Sequence, residues 1–168
     1  MENPTQAYLS GGPRVNQTPR IAAGGLVMRD GKLLLVSHRG PTGNIFWIPP
    51  GGGMESGEGA LACAEREVFE ETGIRVRAER VAYVQEILDA KHHQAKFWVW
   101  CTYLSGEVTL EHLVPEEVGD LLDARFMNRD EVSASNVVPD VVKDGFWADL
   151  EDGFPATRYL GLTRIHPG

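Results

Sequence analysis

The chain is short of cysteine, of long apolar runs and of positive charge, and each shortage closes a class of function. Cys63 and Cys101 stand apart with no CxxC spacing, so the sequence indicates neither a disulfide framework nor a cysteine-based zinc site. No apolar stretch approaches the roughly 20 residues that cross a bilayer. Met1-Glu2-Asn3-Pro4 begins no signal peptide. These absences lead us to expect a cytoplasmic protein with two reduced thiols and no membrane partner. Lysine and arginine number 16 against 24 aspartates and glutamates, for a formal charge of −8. Broad nucleic-acid binding wants a basic face, and this balance argues against it. What remains, at 42% hydrophobic over 168 residues, suits one globular domain with a real core.

Residues 1–19 are polar and rich in Gly, Pro, Asn and Gln, the composition of a flexible arm, and we expect a single domain over 20–168. Alternation predicts strands over 21–28 and 32–37, joined by an Arg29-Asp30-Gly31 turn. A loop over 39–44 leads to a short strand at 46–48, which stops at Pro49-Pro50 and opens into Gly51-Gly52-Gly53. Residues 59–72 read as a helix ended by Gly73. Two longer strands follow near 75–87 and 95–104, separated by a loop carrying His92 and His93. Another strand is expected at 124–127, and a terminal helix over 137–150 with Pro139 in its first turn. Strands on both sides of one helix, without regular βαβ repetition, indicate an α/β sandwich with a mixed sheet.

The 59–72 helix carries the strongest signal. Glu67, Glu70 and Glu71 fall at i, i+3 and i+4, inside one stripe. Such carboxylates lie roughly 5–6 Å apart. Each pair repels by about 0.75 kcal/mol in water and about 3 kcal/mol at an effective dielectric near 20. Arg66 offsets part of this through an i,i+4 pair with Glu70, but one cation does not neutralise three anions. A hard divalent cation does, and magnesium is the natural one. A solvated acidic helix face shares this pattern, so the surroundings must decide. The apolar stripe Leu61, Ala64 and Val68 lies about 100° away, leaving one side to pack and the acidic side to face a cleft. Glu58, near the helix start, is favoured there by the helix dipole.

Over Gly52–Ile74 the chain resembles the Nudix hydrolases, whose signature is G-x5-E-x7-R-E-U-x-E-E-x-G-U with U aliphatic. Gly52, Glu58, Arg66, Glu67, Val68, Glu70, Glu71, Gly73 and Ile74 match every specified position. The resemblance implies a Nudix-type α/β/α sandwich and a Mg2+-dependent enzyme, with Mn2+ able to substitute. It implies that Glu67, Glu70 and Glu71 bind the metal, that the carbonyl of Gly51 adds a ligand, that Arg66 orients the glutamates and that Glu58 supports the loop. A further acid from a late loop completes the site or acts as base, and Glu116 and Glu117 are the best placed; Glu86 is a weaker choice. The base is left open between Glu67 and that loop pair.

The implied substrate is a small nucleotide, a nucleoside diphosphate joined to another group such as ADP-ribose or a nucleotide sugar. The alternatives are a house-cleaning hydrolase of oxidised or non-standard nucleoside triphosphates and a non-catalytic nucleotide sensor. Ala90 and Lys91 stand where some branches carry a diagnostic proline or tyrosine, so neither of those subgroups is indicated. Trp98 and Trp100 alternate with Phe97 and Val99, offering rings that pack a core or stack on a base. Many members are dimers, and the polar arm is able to wrap a partner, so a homodimer stays open.

Overall fold

A computed structural model describes residues 17–165. Strands β1 (Thr18–Arg29), β2 (Lys32–Arg39), β3 (Ile45–Ile48) and β4 (Gly51–Gly53) precede helix α1 (Ala60–Thr72). After α1 come β5 (Arg75–Leu88), β6 (His92–Ser105) and β7 (Leu121–Met127). Short helices α2 (Arg129–Ala134), α3 (Val141–Asp144) and α4 (Phe146–Glu151) lead into β8 (Arg158–Arg164). The strands form one mixed sheet in the order β3-β2-β1-β6-β5-β8, with β4 also paired to β1 and β7 to β2. The pairs β1–β6 and β5–β8 are parallel and the others antiparallel.

Period-two alternation sends side chains to two cores. Ala23, Val27, Leu34, Val99 and Cys101 pack on Cys63, Ala64 and Val68 of α1. Leu26, Leu33, Leu35 and Trp98 pack instead on Val132, Val142, Phe146 and Trp147 of the terminal helices. Helices therefore cover both faces, the α/β/α sandwich expected. The first hairpin turns as its sequence predicts, with Asp30 and Gly31 both at positive φ (51° and 71°).

Along one edge β1 changes partner. Ala22, Ala23 and Gly24 pair with β4, whereas Met28 and Arg29 pair with β2. The sheet thus forks, and β2, β3 and β7 form a leaf of their own.

Several boundaries differ from the sequence reading. Thr18 and Pro19 belong to β1, pairing with His92 and His93, so the strand takes in the end of the proposed arm. Residues 1–16 of that arm lie outside the described residues. His92 and His93 open β6 rather than sit in a loop. The single terminal helix is replaced by α3 and α4, because 136–138 are extended: Trp47 N–H donates to the Asn136 carbonyl and Val138 N–H to that of Trp47 (2.8 and 2.9 Å). The helical packing of α1 also differs, since Leu61 is 40% exposed while Glu67 and Glu71 are buried. No helix among the described residues is long and apolar enough to cross a membrane.

Candidate active site

Glycines in β4 let α1 come unusually near the sheet. A Cβ on Gly52 would stand 2.7 Å from the Glu67 carboxylate, so that space is kept for the acid. Arg66 ties the helix to the loop before it. Its Nε and Nη2 donate to the two Glu58 oxygens at 2.8 and 2.9 Å, and Nη2 also reaches the Gly53 carbonyl at 3.0 Å. Nη1 donates to Glu67 Oε1 at 2.7 Å and Glu70 Oε2 at 3.0 Å. This fork holds Glu58 well below the usual carboxylate range, at about 2.

Glu67, Glu71 and Glu117 converge, with one carboxylate oxygen from each lying within 4.8 Å of the others. Glu67 is 4% and Glu71 2% exposed. Glu71 Oε2 accepts the Gly51 N–H at 2.9 Å. Glu67 Oε2 and Glu117 Oε2 are buried with no hydrogen-bond partner among the described residues. Burial raises the pKa of all three acids. The charge of Glu117 pushes Glu71 further up, and that of Glu70 does the same to Glu117. Three convergent hard oxygen donors, on two buried acids and one half-buried, with two oxygens orphaned, fit a small divalent cation.

Glu117 reaches this place on the long loop before β7, which is docked on the end of α1. Thr109 N–H donates to the Thr72 carbonyl at 2.9 Å, and the His112 ring stacks on Phe69 with centroids 4.5 Å apart. The Arg75 guanidinium lies 4.4 Å from the same Phe69 ring.

Beside the acids lies a cavity of about 570 Å³, lined by His38, Arg39, Phe46, Gly51, Lys96 and Asp120 among others. Gly51 belongs to both features, since its N–H holds Glu71 while its backbone walls the cavity. The family model of the NUDIX domain matches residues 18–144, which contain the acids, the arginine fork and the glycine loop.

The chain belongs to the Nudix hydrolase family.

Among curated Nudix relatives, the m7GpppN-mRNA hydrolase NUDT17 of Xenopus laevis is 44% identical over 106 residues, which are 55% of this chain and 36% of that protein. Human diphosphoinositol polyphosphate phosphohydrolase 2 is 43% identical over 63 residues, 38% of this chain and 33% of that one. The chain thus spans about a third of the length of these relatives. In three dimensions it is similar to a NUDIX hydrolase from Nitrosomonas europaea, with a TM-score of 0.67 at 20% identity over 89% of this chain and 81% of that one.

Of the Nudix residues expected from sequence, the structure brings Glu67 and Glu71 together with Glu117. Glu70 lies outside that trio, its carboxylate turned to Arg66. Glu116 is exposed on the same loop and is not part of the cluster. Gly51 touches the cluster through its N–H. Glu86 is taken up at the surface by His93 and Tyr159, each at 2.8 Å, and neither His92 nor His93 lines the cavity. Trp98 is core, donating to Gln85 at 3.1 Å, and Trp100 packs on Phe154. Cys63 and Cys101 are buried free thiols, pushed up to about 11 and about 12 mainly by burial.

Sequence reasoning missed Lys96, His38, Arg39 and Phe46. One signal was available for Lys96: it shares the strand face of Trp98, two residues on, where an apolar side chain would be usual.

Proposed function

We propose that the chain is a magnesium-dependent pyrophosphohydrolase that cuts a phosphoanhydride bond in a nucleoside diphosphate joined to another group, with ADP-ribose-like compounds or nucleotide sugars as substrates. The observation that carries this reading is the trio of convergent carboxylates, two buried and one half-buried, with two orphaned oxygens, beside a cavity. In this reading Glu67, Glu71 and Glu117 hold the cation, the Gly51 carbonyl adds to them, and Glu70 borders the set. Mn2+ shares the preference for oxygen and would replace Mg2+. A bound divalent ion would neutralise charge on the phosphate oxygens and make an attacking water more acidic.

The chain's own residues do the rest. Arg66 fixes Glu67 and Glu70 on one side of the helix, so their geometry is set before substrate arrives. The proton leaving the water would go to whichever carboxylate oxygen of Glu67 or of the loop acids the cation leaves free. Burial of the acids keeps bulk water from competing. The two curated relatives are named for different substrates, a capped mRNA and a diphosphoinositol polyphosphate.

The test is phosphate release, through a coupled phosphatase, from a panel of ADP-ribose, nucleotide sugars, dinucleoside polyphosphates and normal and oxidised nucleoside triphosphates. Hydrolysis of ADP-ribose or a nucleotide sugar should require Mg2+ and stop with chelator. Glu71→Gln should lower kcat by about a hundredfold or more with the fold retained. Preference for an oxidised triphosphate would overturn the substrate class, and turnover in excess chelator would overturn the mechanism.

A further inference from the structure

Beside α1 the sheet keeps a bare apolar face. Residues that stand opposite one another on neighbouring strands share a face, and two such rows cross β1, β6, β5 and β8. Ile21, Ala95, Glu86 and Leu162 form one row, and Ala23, Phe97, Val84 and Tyr159 form the other. The second row begins under α1, where Ala23 and Phe97 belong to the core that the helix covers. It runs out into solvent at Tyr159, and the first row is open at both ends. Ile21, Tyr159 and Leu162 are 53%, 63% and 40% exposed. Large apolar side chains exposed singly need no account, but three gathered on one sheet face mark a contact surface.

The free edge of β8 is the other surface here, and it is poorly suited to pairing. Gly161 has a φ of 86°, and the register with β5 shifts between Val84 and Glu86, so a bulge interrupts the edge. Charge then narrows the occupant of the face. In a protein of net charge −8, the two rows hold a single carboxylate, Glu86. That carboxylate is engaged by Tyr159 and His93, each at 2.8 Å. Arg164, which stands opposite Leu88, brings one positive charge to the same side. Two copies of an acidic chain repel least where acids are few. A face with one charge of each sign also complements itself about a twofold axis. A basic partner would find almost no acid to meet here, and an anionic membrane would repel the rest of the molecule.

We infer that this face is the contact between two copies of the chain, with Ile21, Tyr159 and Leu162 packed across a twofold axis and Arg164 of each copy set toward Glu86 of the other. Four strands about 4.8 Å apart, and alternate positions about 7 Å apart along them, give a footprint of roughly 400 Å². A standard interface takes about 800 Å² from each partner. The dimer is therefore weak, with a dissociation constant on the order of 100 μM. It needs neither metal nor substrate, so it stands apart from the reaction proposed above.

The experiment is analytical sedimentation of the full chain in EDTA, from about 5 to about 500 μM so as to bracket that constant. The average mass should climb from monomer toward dimer across the range. Leu162→Glu should weaken association by about tenfold or more. The same change should leave the melting temperature of dilute protein unaltered, because Leu162 is already exposed. Arg164→Glu should weaken association as well. Ile45→Glu is the control: Ile45 is 49% exposed on β3, at the opposite end of the strand order, and its replacement should change nothing.

A monomer at every concentration overturns the inference and leaves the face to residues 1–16, to a different protein or to water. Association that survives Leu162→Glu, or that Ile45→Glu weakens equally, places the contact elsewhere and overturns it too. Association unchanged in Arg164→Glu removes the charge pairing and with it the twofold arrangement. The hydrolysis panel decides separately, since a dimer lost in Leu162→Glu stands whether or not any nucleotide is cleaved.

Discussion

Glu58 shows how much a single partner does at the residue scale. Its carboxylate takes two hydrogen bonds from Arg66 and one from the Glu55 N–H, which bring its pKa to about 2 from an ordinary 4.5. A carboxyl depressed in the folded state stabilises fully above its unfolded pKa and loses that contribution as pH falls through the folded one. The wild type should therefore melt a few degrees above Glu58→Gln near neutral pH, and the gap should close between about pH 4.5 and about pH 2. Melting temperatures across that range in metal-free buffer check it. A gap that persists at the acid end would assign the role of Glu58 to packing. The residue scale is also where the sequence was most legible. The i, i+3, i+4 spacing brings Glu67 and Glu71 to one stripe, and Arg66 meets Glu70 at i,i+4 as expected. Lys96 escaped because its neighbours in space, Gly51 and His38, are far from it along the chain.

Among the elements, the loop before β7 has the most to do with the least regular structure. It carries Glu117 to the acids and is anchored by the Thr109–Thr72 hydrogen bond and the His112–Phe69 stack. Replacing His112, an exposed ring, should leave the core and melting temperature nearly untouched while loosening Glu117. We expect His112→Ala to lower kcat by about tenfold with little change in KM, and His112→Phe to restore it because the stack survives. Steady-state kinetics of both variants decide the matter; equal loss in His112→Phe would mean that the ring nitrogen, not the stack, is used. Element boundaries were legible where alternation is strong, as in β1, β2, β5 and β6. They were not for β4, whose three glycines carry no apolar pattern and become a strand only by pairing with Ala22–Gly24. Strand β8 was missed for a related reason: it sits at the sheet edge and buries little. The terminal helix was over-read because the hydrogen bonds from 136–138 to β3 outcompete helix formation.

For the molecule as a whole, part of the −8 charge is stored as buried acid that Arg66 and Lys96 offset only in part. A cation that binds only the folded state raises its stability by mass action, about 2.7 kcal/mol at a hundred times its dissociation constant. Mg2+ should raise the melting temperature by several degrees. Because burial pushes the Glu71 carboxyl up to about 8, the same ion should displace protons near neutral pH. Titration calorimetry in buffers of different ionisation enthalpy reads this directly, and heats independent of buffer would contradict it. The sandwich and its mixed sheet were legible from the order of elements. Where the cavity lies was not, since its walls come from β2, β3, β4 and β6 and meet only when the sheet is built.

The change of partner along β1 gives the cavity a mechanical meaning. One leaf of the sheet supplies His38 and Phe46, and the body supplies Gly51 and Lys96. A molecule seated between them works as a rivet through the crotch of the fork, and what it fastens is backbone rather than side chains. Occupancy should then be felt as stiffness: amide hydrogens of β2 and β3 should exchange more slowly with the cavity filled, while those of β5 and β8, beyond the fork, keep their rates. In such a design the grip on the ligand and the splay of the leaf are one variable, and a substitution that opens the fork would loosen binding without touching any residue that meets the ligand.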